Sequence, residues 1–372
     1  QESRGLGDVY KRQAEVSVVP HSEGKTNLQV NVPENGKCYL KLTYHLKKEM
    51  PLLEEDYILG FDEIEVSQKD AKCQLAEKWV EKTVTDSELQ VSEDDTQIHI
   101  KGREFAYTID RRTALFTEMK FAGREYLNHP MELNIWRAPT DNDMYIKSEW
   151  KKAHYDKAYT RAYTTEVVQG KHGVKITSHA SVVAETVQKI LDVTITWKIE
   201  AAGKIDADIA VTKDDEFPDL PRFGVRMFLD KKLSAARYFG MGPQESYCDK
   251  HQAASHGLYH ANVDDLHEDY IRPQENGSHY DCEYVELNNS RYGIVASAEK
   301  AFSFNASYYT QEELEKKTHN YELIESDSVV FCVDYALNGI GSNSCGPVVL
   351  EQYRFDDVLF RFQFTLIPYV KG

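Results

Sequence analysis

Four short segments of the sequence carry side chains that could do chemistry. They are WRAPTDND at 136–143, YFGMGPQESY at 238–247, the histidine-rich stretch 251–267 and GIGSNSCGP at 339–347. The first combines an aromatic ring, a guanidinium and acids without periodicity, which is typical of a loop. Loops carry function in only some proteins, so two interpretations of this segment are open. It is either a functional site or an ordered connection in which Arg137 pairs with an Asp.

The glycines and the proline of YFGMGPQESY predict a tight turn that exposes Gln244 and Glu245. Their spacing superficially matches that of a phosphate-binding loop. The segment lacks the GK[ST] ending and the following helix, which excludes phosphate binding.

The histidine-rich stretch invites a metal interpretation, because four histidines lie among acidic residues. These histidines are His251, His256, His260 and His267. No pair stands in an HExxH frame, so we interpret them as surface-loop histidines and assign no metal to the chain.

The last segment is a loop of small residues with one thiol near its tip. Glycine and serine let a backbone approach a ligand closely. A nucleophilic Cys345 would need a nearby base and an oxyanion hole. The sequence offers no argument for either, so we expect Cys345 to be a passive wall residue.

The elements that must position these segments are predicted from a recurring period of two, which places apolar side chains on one face of a strand. The clearest alternation occurs in 38–47, 191–200, 205–211 and 360–366. One-sided strands of this kind belong to antiparallel sheets, so the sequence predicts an all-β sandwich.

Helical signals are scarce. Thr310 and Glu313 form a capping-box pattern ahead of a charged stretch that ends at Lys317. The segment 148–163 has weak helical spacing. Neither is long enough to organise a domain.

Composition limits the function classes. The 372 residues allow about two domains. The net charge of −17 disfavours nucleic acid and anionic lipid as partners. The mean hydropathy is −0.57, and no apolar run approaches the roughly 20 residues that cross a bilayer. The six cysteines are widely spaced, so we expect free thiols in a reducing compartment.

Five motifs, taken in order, resemble signatures of the large bacterial β-galactosidases of glycoside hydrolase family 2. They are WRAPTDND at 136–143, GMGPQESYCD at 240–249, PQENG at 273–277, THNYEL at 318–323 and GIGSNSCGP at 339–347. The resemblance covers about 230 residues and identifies the chain as the C-terminal third of such an enzyme.

The resemblance implies a fold and a domain organisation. Residues 84–372 would form a large galactose-mutarotase-like antiparallel supersandwich, and residues 14–70 a partial immunoglobulin-like β-sandwich with three or four strands after Val16. Residues 71–83 would link them. We interpret residues 1–13, which lack the apolar core of a secretory signal, as a non-native remnant.

The resemblance also implies a function. The whole enzyme would hydrolyse terminal β-D-galactosides with retention, using two glutamates of a barrel that precedes this segment. Retaining chemistry needs two carboxyl groups about 5–5.5 Å apart. No stretch here resembles the surroundings of either glutamate, so we expect no catalytic residue and no turnover by this segment alone.

In this interpretation the segment forms part of the sugar-pocket wall. The implied pocket residues are Arg137, Asp143, Ser342, Asn343, Ser344 and Cys345. An aromatic residue often stands in relatives where Cys345 stands here, which predicts weaker stacking on a sugar or a different aglycone preference. The loop that starts near Met144 matches a segment that closes over substrate in relatives.

The resemblance fixes expectations about cofactors and partners. We expect no cofactor in this segment, since full-length relatives often use Mg²⁺ and Na⁺ bound elsewhere. The implied partners are a β-galactoside, the missing N-terminal catalytic part and further copies in a homo-oligomer, with no nucleic acid and no membrane. The compartment stays open, with cytoplasm favoured over periplasm.

Two alternatives are open at this point. The chain could be a separately encoded small subunit of a split enzyme. It could also be a stand-alone carbohydrate-binding or aldose-epimerase-like β-sandwich protein, because one fold hosts several functions.

Overall fold

A computed structural model describes the chain in five stretches. These are residues 13–14, 17–32, 36–67, 89–341 and 345–371. Internal contacts divide the chain into two compact units, of which the first ends at residue 77 and the second begins at residue 78. The boundary and the expected linker 71–83 lie outside the described residues, as does the expected remnant apart from Gln13.

The first unit contains two described strands, β1 (Tyr39–His45) and β2 (Ile58–Glu65), which pair antiparallel. The alternation in 38–47 therefore predicted a strand correctly. The expected count of three or four strands is wrong for the described residues of this unit. The immunoglobulin-like assignment of residues 14–70 stays a prediction.

The second unit contains two sheets. The smaller sheet has five strands: β3 (Gln90–Glu93), β4 (Gln97–Lys101), β5 (Phe105–Asp110), β6 (Leu115–Phe121) and β7 (Arg124–Glu125). The larger sheet has twelve: β8 (Leu127–Asn134), β9 (Tyr159–Gln169), β10 (Gly173–Val183), β11 (Leu191–Glu200), β12 (Ile205–Lys213), β13 (Arg222–Asp230), β14 (Ala235–Gly242), β15 (Ser255–Asn262), β16 (Ser278–Asn288), β17 (Tyr292–Ser307), β18 (Ser328–Leu337) and β19 (Leu359–Val370). The strand pairs described here are antiparallel, which confirms the all-β antiparallel fold class.

The period of two explains the core of the larger sheet. In β11 the side chains at alternate positions from Leu191 to Ile199 are buried, and their neighbours are exposed or half-buried. In β19 the rings of Phe360, Phe362 and Phe364 are buried, whereas Arg361 and Gln363 are exposed. These predicted faces are confirmed.

Two packing contacts join the layers of the second unit. The ring of Trp197 on β11 meets Phe116 of the smaller sheet with centroids 4.9 Å apart. Phe360 of β19 packs edge-on against Phe223 of β13 at 5.0 Å. Aromatic rings thus fill the space between layers, as expected for a sandwich core.

The sheet branches at β17, which is 16 residues long. Its first half pairs with β19, and its second half pairs with β18. The branch continues from β18 through β13 to β8. Because Leu337 at the end of β18 pairs with Arg222 and Asn134 at the end of β8 pairs with Gly224, both strands end beside the start of β13. This register brings the segments that follow β8 and β18 together.

Two short α-helices are described, α1 (Ile146–Lys152) and α2 (Gln311–Lys316). The helical spacing expected over 148–163 is wrong beyond Lys152, because β9 begins at Tyr159. Helix α2 has the predicted N-cap, since Thr310 Oγ1 accepts from Glu313 N at 3.1 Å. The capping box forms only in that direction, because the Glu313 carboxylate accepts from Ile324 N instead.

No described helix is both long and apolar enough to span a membrane.

Candidate functional site

Arg137 and Asp143 form a buried ion pair directly after β8. The Arg137 side chain is fully buried, and its Nη2 lies 2.7 Å from Asp143 Oδ1. Asp143 also accepts from the Thr140 N–H at 2.9 Å. The expected ordered connection, in which Arg137 pairs with an Asp, is therefore present. The pocket-wall role of the two residues stays a prediction.

The ion pair is held because the segment after it is anchored in the core. Residues 141–143 form a 3-10 turn that leads into α1. On α1, the fully buried Trp150 donates from Nε1 to the Asp219 carbonyl at 2.8 Å and packs edge-on against Trp136. The guanidinium of Arg137 lies 5.2 Å from the Trp150 ring centroid, within the range of a cation–π contact.

Arg137 also binds the segment that follows β18. Its Nη1 donates to the Asn338 carbonyl, and its Nη2 donates to the Gly339 carbonyl at 3.2 Å. Asn142 Nδ2 donates to the Ile340 carbonyl at 2.6 Å. The first motif therefore holds three consecutive carbonyls at the base of the GIGSNSCGP loop.

The second motif holds the same loop base from another direction. Asp249 Oδ1 accepts from Ile340 N at 3.0 Å, and Asp249 Oδ2 accepts from Gly341 N at 2.8 Å. A Cβ at Gly339 would lie 2.7 Å from Asp249 Oδ2, so a side chain there would displace this carboxylate. The two motifs together bind both edges of the loop backbone.

Glu245 of the second motif is not exposed as the sequence suggested. Its side chain is 6% exposed, and its carboxylate accepts from Lys250 Nζ at 2.5 Å, from the Tyr270 hydroxyl and from Gly277 N at 2.9 Å. Burial alone would raise the pKa of Glu245, but these hydrogen bonds outweigh it and lower the pKa. The sequence analysis did not anticipate how many hydrogen-bond donors the fold brings to this turn. Gln244 is exposed as predicted.

The third motif, PQENG, lies against the first. Glu275 N donates to the Ala138 carbonyl at 3.0 Å. Asp141 N donates to Gln274 Oε1 at 3.1 Å. Four of the five motifs therefore meet around the start of β13.

Arg222, Glu275 and Asp334 form a buried cluster next to this meeting point. Arg222 Nη1 lies 2.8 Å from Glu275 Oε1, and its Nη2 lies 2.5 Å from Asp334 Oδ2. All three side chains are buried. Burial raises the pKa of Asp334. Arg222 opposes this shift, and the nearby Glu275 carboxylate adds to it.

The motif THNYEL lies on an exposed turn and makes its described hydrogen bonds within 313–324. Glu322 accepts from the backbone N–H groups of Thr318 and His319, each at 3.0 Å, and Tyr321 is 79% exposed. These bonds fix the turn but do not join it to the loop base.

The predicted pocket residues of the GIGSNSCGP loop are only partly described. Ser342, Asn343 and Ser344 lie outside the described residues, and Cys345 is an exposed free thiol. Four other described cysteines are also free, namely Cys38, Cys248, Cys282 and Cys332. This agrees with the expectation of free thiols for the described part of the chain.

Sequence reasoning missed two residues of the site, Asn142 and Asp249. Both stand inside motifs that the sequence analysis quoted. The signal that could have found Asp249 is the pair of glycines at 339 and 341, since glycine permits a carboxylate to approach the backbone closely.

The histidines of 251–267 do not all lie on a loop. His256 and His260 lie on β15, and His256 Nε2 is 3.0 Å from Asp281 Oδ2. Within the described stretches, no group of three or more His, Cys, Asp or Glu side chains could hold a metal ion.

Comparisons with known proteins agree with the motifs. A family model described as "Beta galactosidase small chain" matches residues 101–366. A β-galactosidase of Actinobacillus pleuropneumoniae is 42% identical over 354 residues, which are 95% of this chain and 34% of that protein. One from Staphylococcus xylosus is 31% identical and covers 94% of this chain and 34% of its own length. The chain thus spans about a third of these relatives.

Solved structures give a fainter likeness. A galactose 1-epimerase from Lactobacillus acidophilus covers 78% of this chain and 100% of its own, with 8% identity and a TM-score of 0.41. A likeness of that size carries no argument about function.

Proposed function

Since the chain belongs to the beta-galactosidase small chain family, we propose that it is the C-terminal part of a β-galactosidase that hydrolyses terminal β-D-galactosides. The observation that carries the proposal is that four family motifs meet at one place: two of them bind the base of the GIGSNSCGP loop after β18, and PQENG packs against the first of these two. A fold needs no such convergence for its core, which lies in the sheets. We therefore assign this end of the sandwich to the wall of the sugar pocket.

The chemistry would be performed elsewhere in the whole enzyme. In this proposal two glutamates that precede the chain cleave the glycosidic bond with retention, and no described residue here takes part in bond breaking. Arg137 and Asp143 support the wall from inside, because both are buried. Cys345, which is exposed, would face the substrate directly.

The first unit supports the proposal of a missing part. A two-stranded sheet is marginally stable alone in water. Tyr44, Ile58, Leu59 and Ile64 of β1 and β2 are largely exposed. We propose that the preceding part of the longer enzyme covers these side chains.

Hydrolysis of a chromogenic β-galactoside tests the proposal. The purified chain alone should give no turnover, and the full-length enzyme should give turnover under the same conditions. In the full-length enzyme, NMR of the first product should show the β-anomer of galactose, because the reaction retains configuration. Turnover by the chain alone would overturn the assignment of the chemistry to the missing part.

A separately encoded small subunit is the second candidate, and the "small chain" description of the matched family favours it. Mixing the purified chain with a separately expressed remainder of the enzyme distinguishes the two. Recovery of activity on mixing favours a natural small subunit, whereas activity only in a continuous chain favours one polypeptide.

We propose that the chain itself holds no cofactor. Among the described residues, no group of three or more His, Cys, Asp or Glu side chains could hold a metal ion. EDTA should therefore leave the thermal unfolding midpoint of this chain unchanged.

A further inference from the structure

The backbone of 338–341 is bound almost entirely from outside its own segment. The N–H groups of Asn338 and Gly339 donate to carbonyls of two other loops, at 3.0 and 2.8 Å. The three carbonyls from Asn338 to Ile340 accept from side chains of the 136–143 motif. The next two N–H groups donate to one carboxylate, that of Asp249.

Among the described residues, Asp249 is the only side chain that accepts hydrogen bonds from the N–H groups of 338–341. Hydrogen bonds to a charged acceptor are stronger than those between neutral groups. Because each carboxylate oxygen takes a different amide, the contact fixes the direction of the loop backbone as well as its distance.

The element that carries Asp249 is itself rigid. Tyr247 and Lys250 exchange backbone hydrogen bonds of 2.9 and 3.1 Å, which closes a tight turn around the two residues between them. The Tyr247 ring is buried. Cys248 Sγ lies 3.7 Å from the Leu337 carbonyl, at the end of β18. Asp249 therefore projects from a fixed turn toward the loop base.

The glycines show that this contact is specific. A Cβ at Gly339 would lie 2.7 Å from Asp249 Oδ2 and 2.9 Å from Val349 Cγ1, and one at Gly341 would lie 3.2 Å from the same oxygen. Real Cβ atoms essentially never approach within 3.0 Å. A side chain at 339 would therefore push the carboxylate away from the two amides.

We propose that Asp249 is a positioning residue that fixes the backbone of Ile340 and Gly341 after β18. It acts through the Ile340 and Gly341 amides, without touching the Cys345 thiol. The proposal deepens the proposed function, because Ile340 and Gly341 belong to the loop that the proposed function assigns to the pocket wall.

Hydrogen exchange of the purified chain tests the positioning itself. Asp249→Asn should speed exchange of the Ile340 and Gly341 amides about tenfold or more, since a bond to a charged acceptor is lost at each. Gly339→Ala should have the same effect from the other side of the contact. Labelling of Cys345 by a maleimide should change rate in both variants, with Cys345→Ser as the background.

The matched control is Asp94→Asn. Asp94 also accepts from two backbone N–H groups, Thr96 N at 2.7 Å and Gln97 N at 2.8 Å, but it does so in the turn before β4. This variant should leave exchange at 340 and 341 and Cys345 labelling unchanged. Exchange within twofold of wild type in both Asp249→Asn and Gly339→Ala would overturn the proposal.

Kinetics of the full-length enzyme link the positioning to the proposed function. Asp249→Asn should raise KM for a nitrophenyl β-galactoside severalfold with a smaller change in kcat, while Asp94→Asn changes neither. Faster exchange with unchanged KM would support the positioning role and contradict the pocket-wall function. Unchanged exchange overturns the positioning role whatever the kinetics show.

Discussion

At the scale of single residues, the buried pair of Arg137 and Asp143 determines how the candidate site is held. Removing one partner of a buried ion pair leaves an uncompensated charge and costs about 3–5 kcal/mol. Arg137 has a second role, because it also donates to two carbonyls of the loop base.

We predict that Arg137→Met lowers the free energy of unfolding by about 3–5 kcal/mol, measured by urea titration. The control is Arg361→Met, which breaks the exposed pair with Asp208 and should stay close to wild type. The double variant Arg137→Met/Asp143→Leu should recover part of the loss, since it removes the stranded carboxylate. Equal effects of the two single Arg variants would contradict the prediction.

His279 provides a prediction about pH. Its ring is buried and stacks on Tyr238 with centroids 4.5 Å apart. Burial lowers its pKa to about 4, below the 6.5 of an ordinary histidine, although contacts with nearby backbone and with Glu245 oppose the shift. The folded state therefore binds fewer protons than the unfolded state between these values. Stability is fully present above about pH 6.5 and falls as the pH drops toward 4.

We predict that His279 costs about 2 kcal/mol of folding free energy on going from pH 7 to pH 5. His279→Phe keeps an aromatic ring against Tyr238 and should remove this part of the acid sensitivity. His129→Gln, at an exposed histidine, is the control. Urea titrations at the two pH values measure the difference, and an unchanged acid sensitivity in His279→Phe would refute the assignment.

At the scale of elements, the core follows from alternation along single strands. On β19 the buried Phe364 meets Trp197 of β11 at 6.4 Å, while its neighbour Gln363 faces solvent. The same strand therefore offers a core position and a surface position one residue apart.

We predict that Phe364→Ala lowers the free energy of unfolding by about 3–5 kcal/mol, because it removes buried area and leaves a cavity. Gln363→Ala on the opposite face should stay within about 0.5 kcal/mol. Thermal and urea unfolding of the two variants checks this. A reversed order would mean that the faces of β19 are assigned the wrong way round.

The sequence predicted those elements whose structure depends on local pattern. Strands such as β11 and β19 were predictable because one face is apolar at every second position. The helix prediction failed after Lys152. There β9 has exposed tyrosines and threonines, and only its pairing with β10 identifies it as a strand. The predicted exposure of Glu245 was wrong for a related reason. Its burial depends on Tyr270 and Gly277, which are distant in sequence.

The candidate site was predictable in its parts and not in its assembly. Each motif could be identified from its residue types alone. That Asp249 and Arg137 bind opposite edges of one loop depends on the register of β8, β13 and β18, which pairs residues about a hundred positions apart. Local pattern carries no information about such register.

At the scale of the whole molecule, the two units differ sharply in what holds them. The buried apolar side chains of the described residues begin at Leu89, so they lie in the second unit. The first unit has a pair of strands whose side chains are exposed or half-buried. Cooperative unfolding depends on a shared apolar core, and here that core belongs to one unit.

We therefore predict that deleting residues 1–77 leaves the main thermal unfolding midpoint of the chain within about 2 °C. A shift of that size corresponds to about 1 kcal/mol for a domain this large. Differential scanning calorimetry of the full and shortened chains measures it, and the unfolding enthalpy should also change little.

Deleting β19 by truncation after residue 358 is the contrasting variant. It removes Phe360, Phe362 and Phe364 from the centre of the twelve-stranded sheet and should abolish the cooperative transition. A large fall in the midpoint on losing residues 1–77 would show that the first unit stabilises the second.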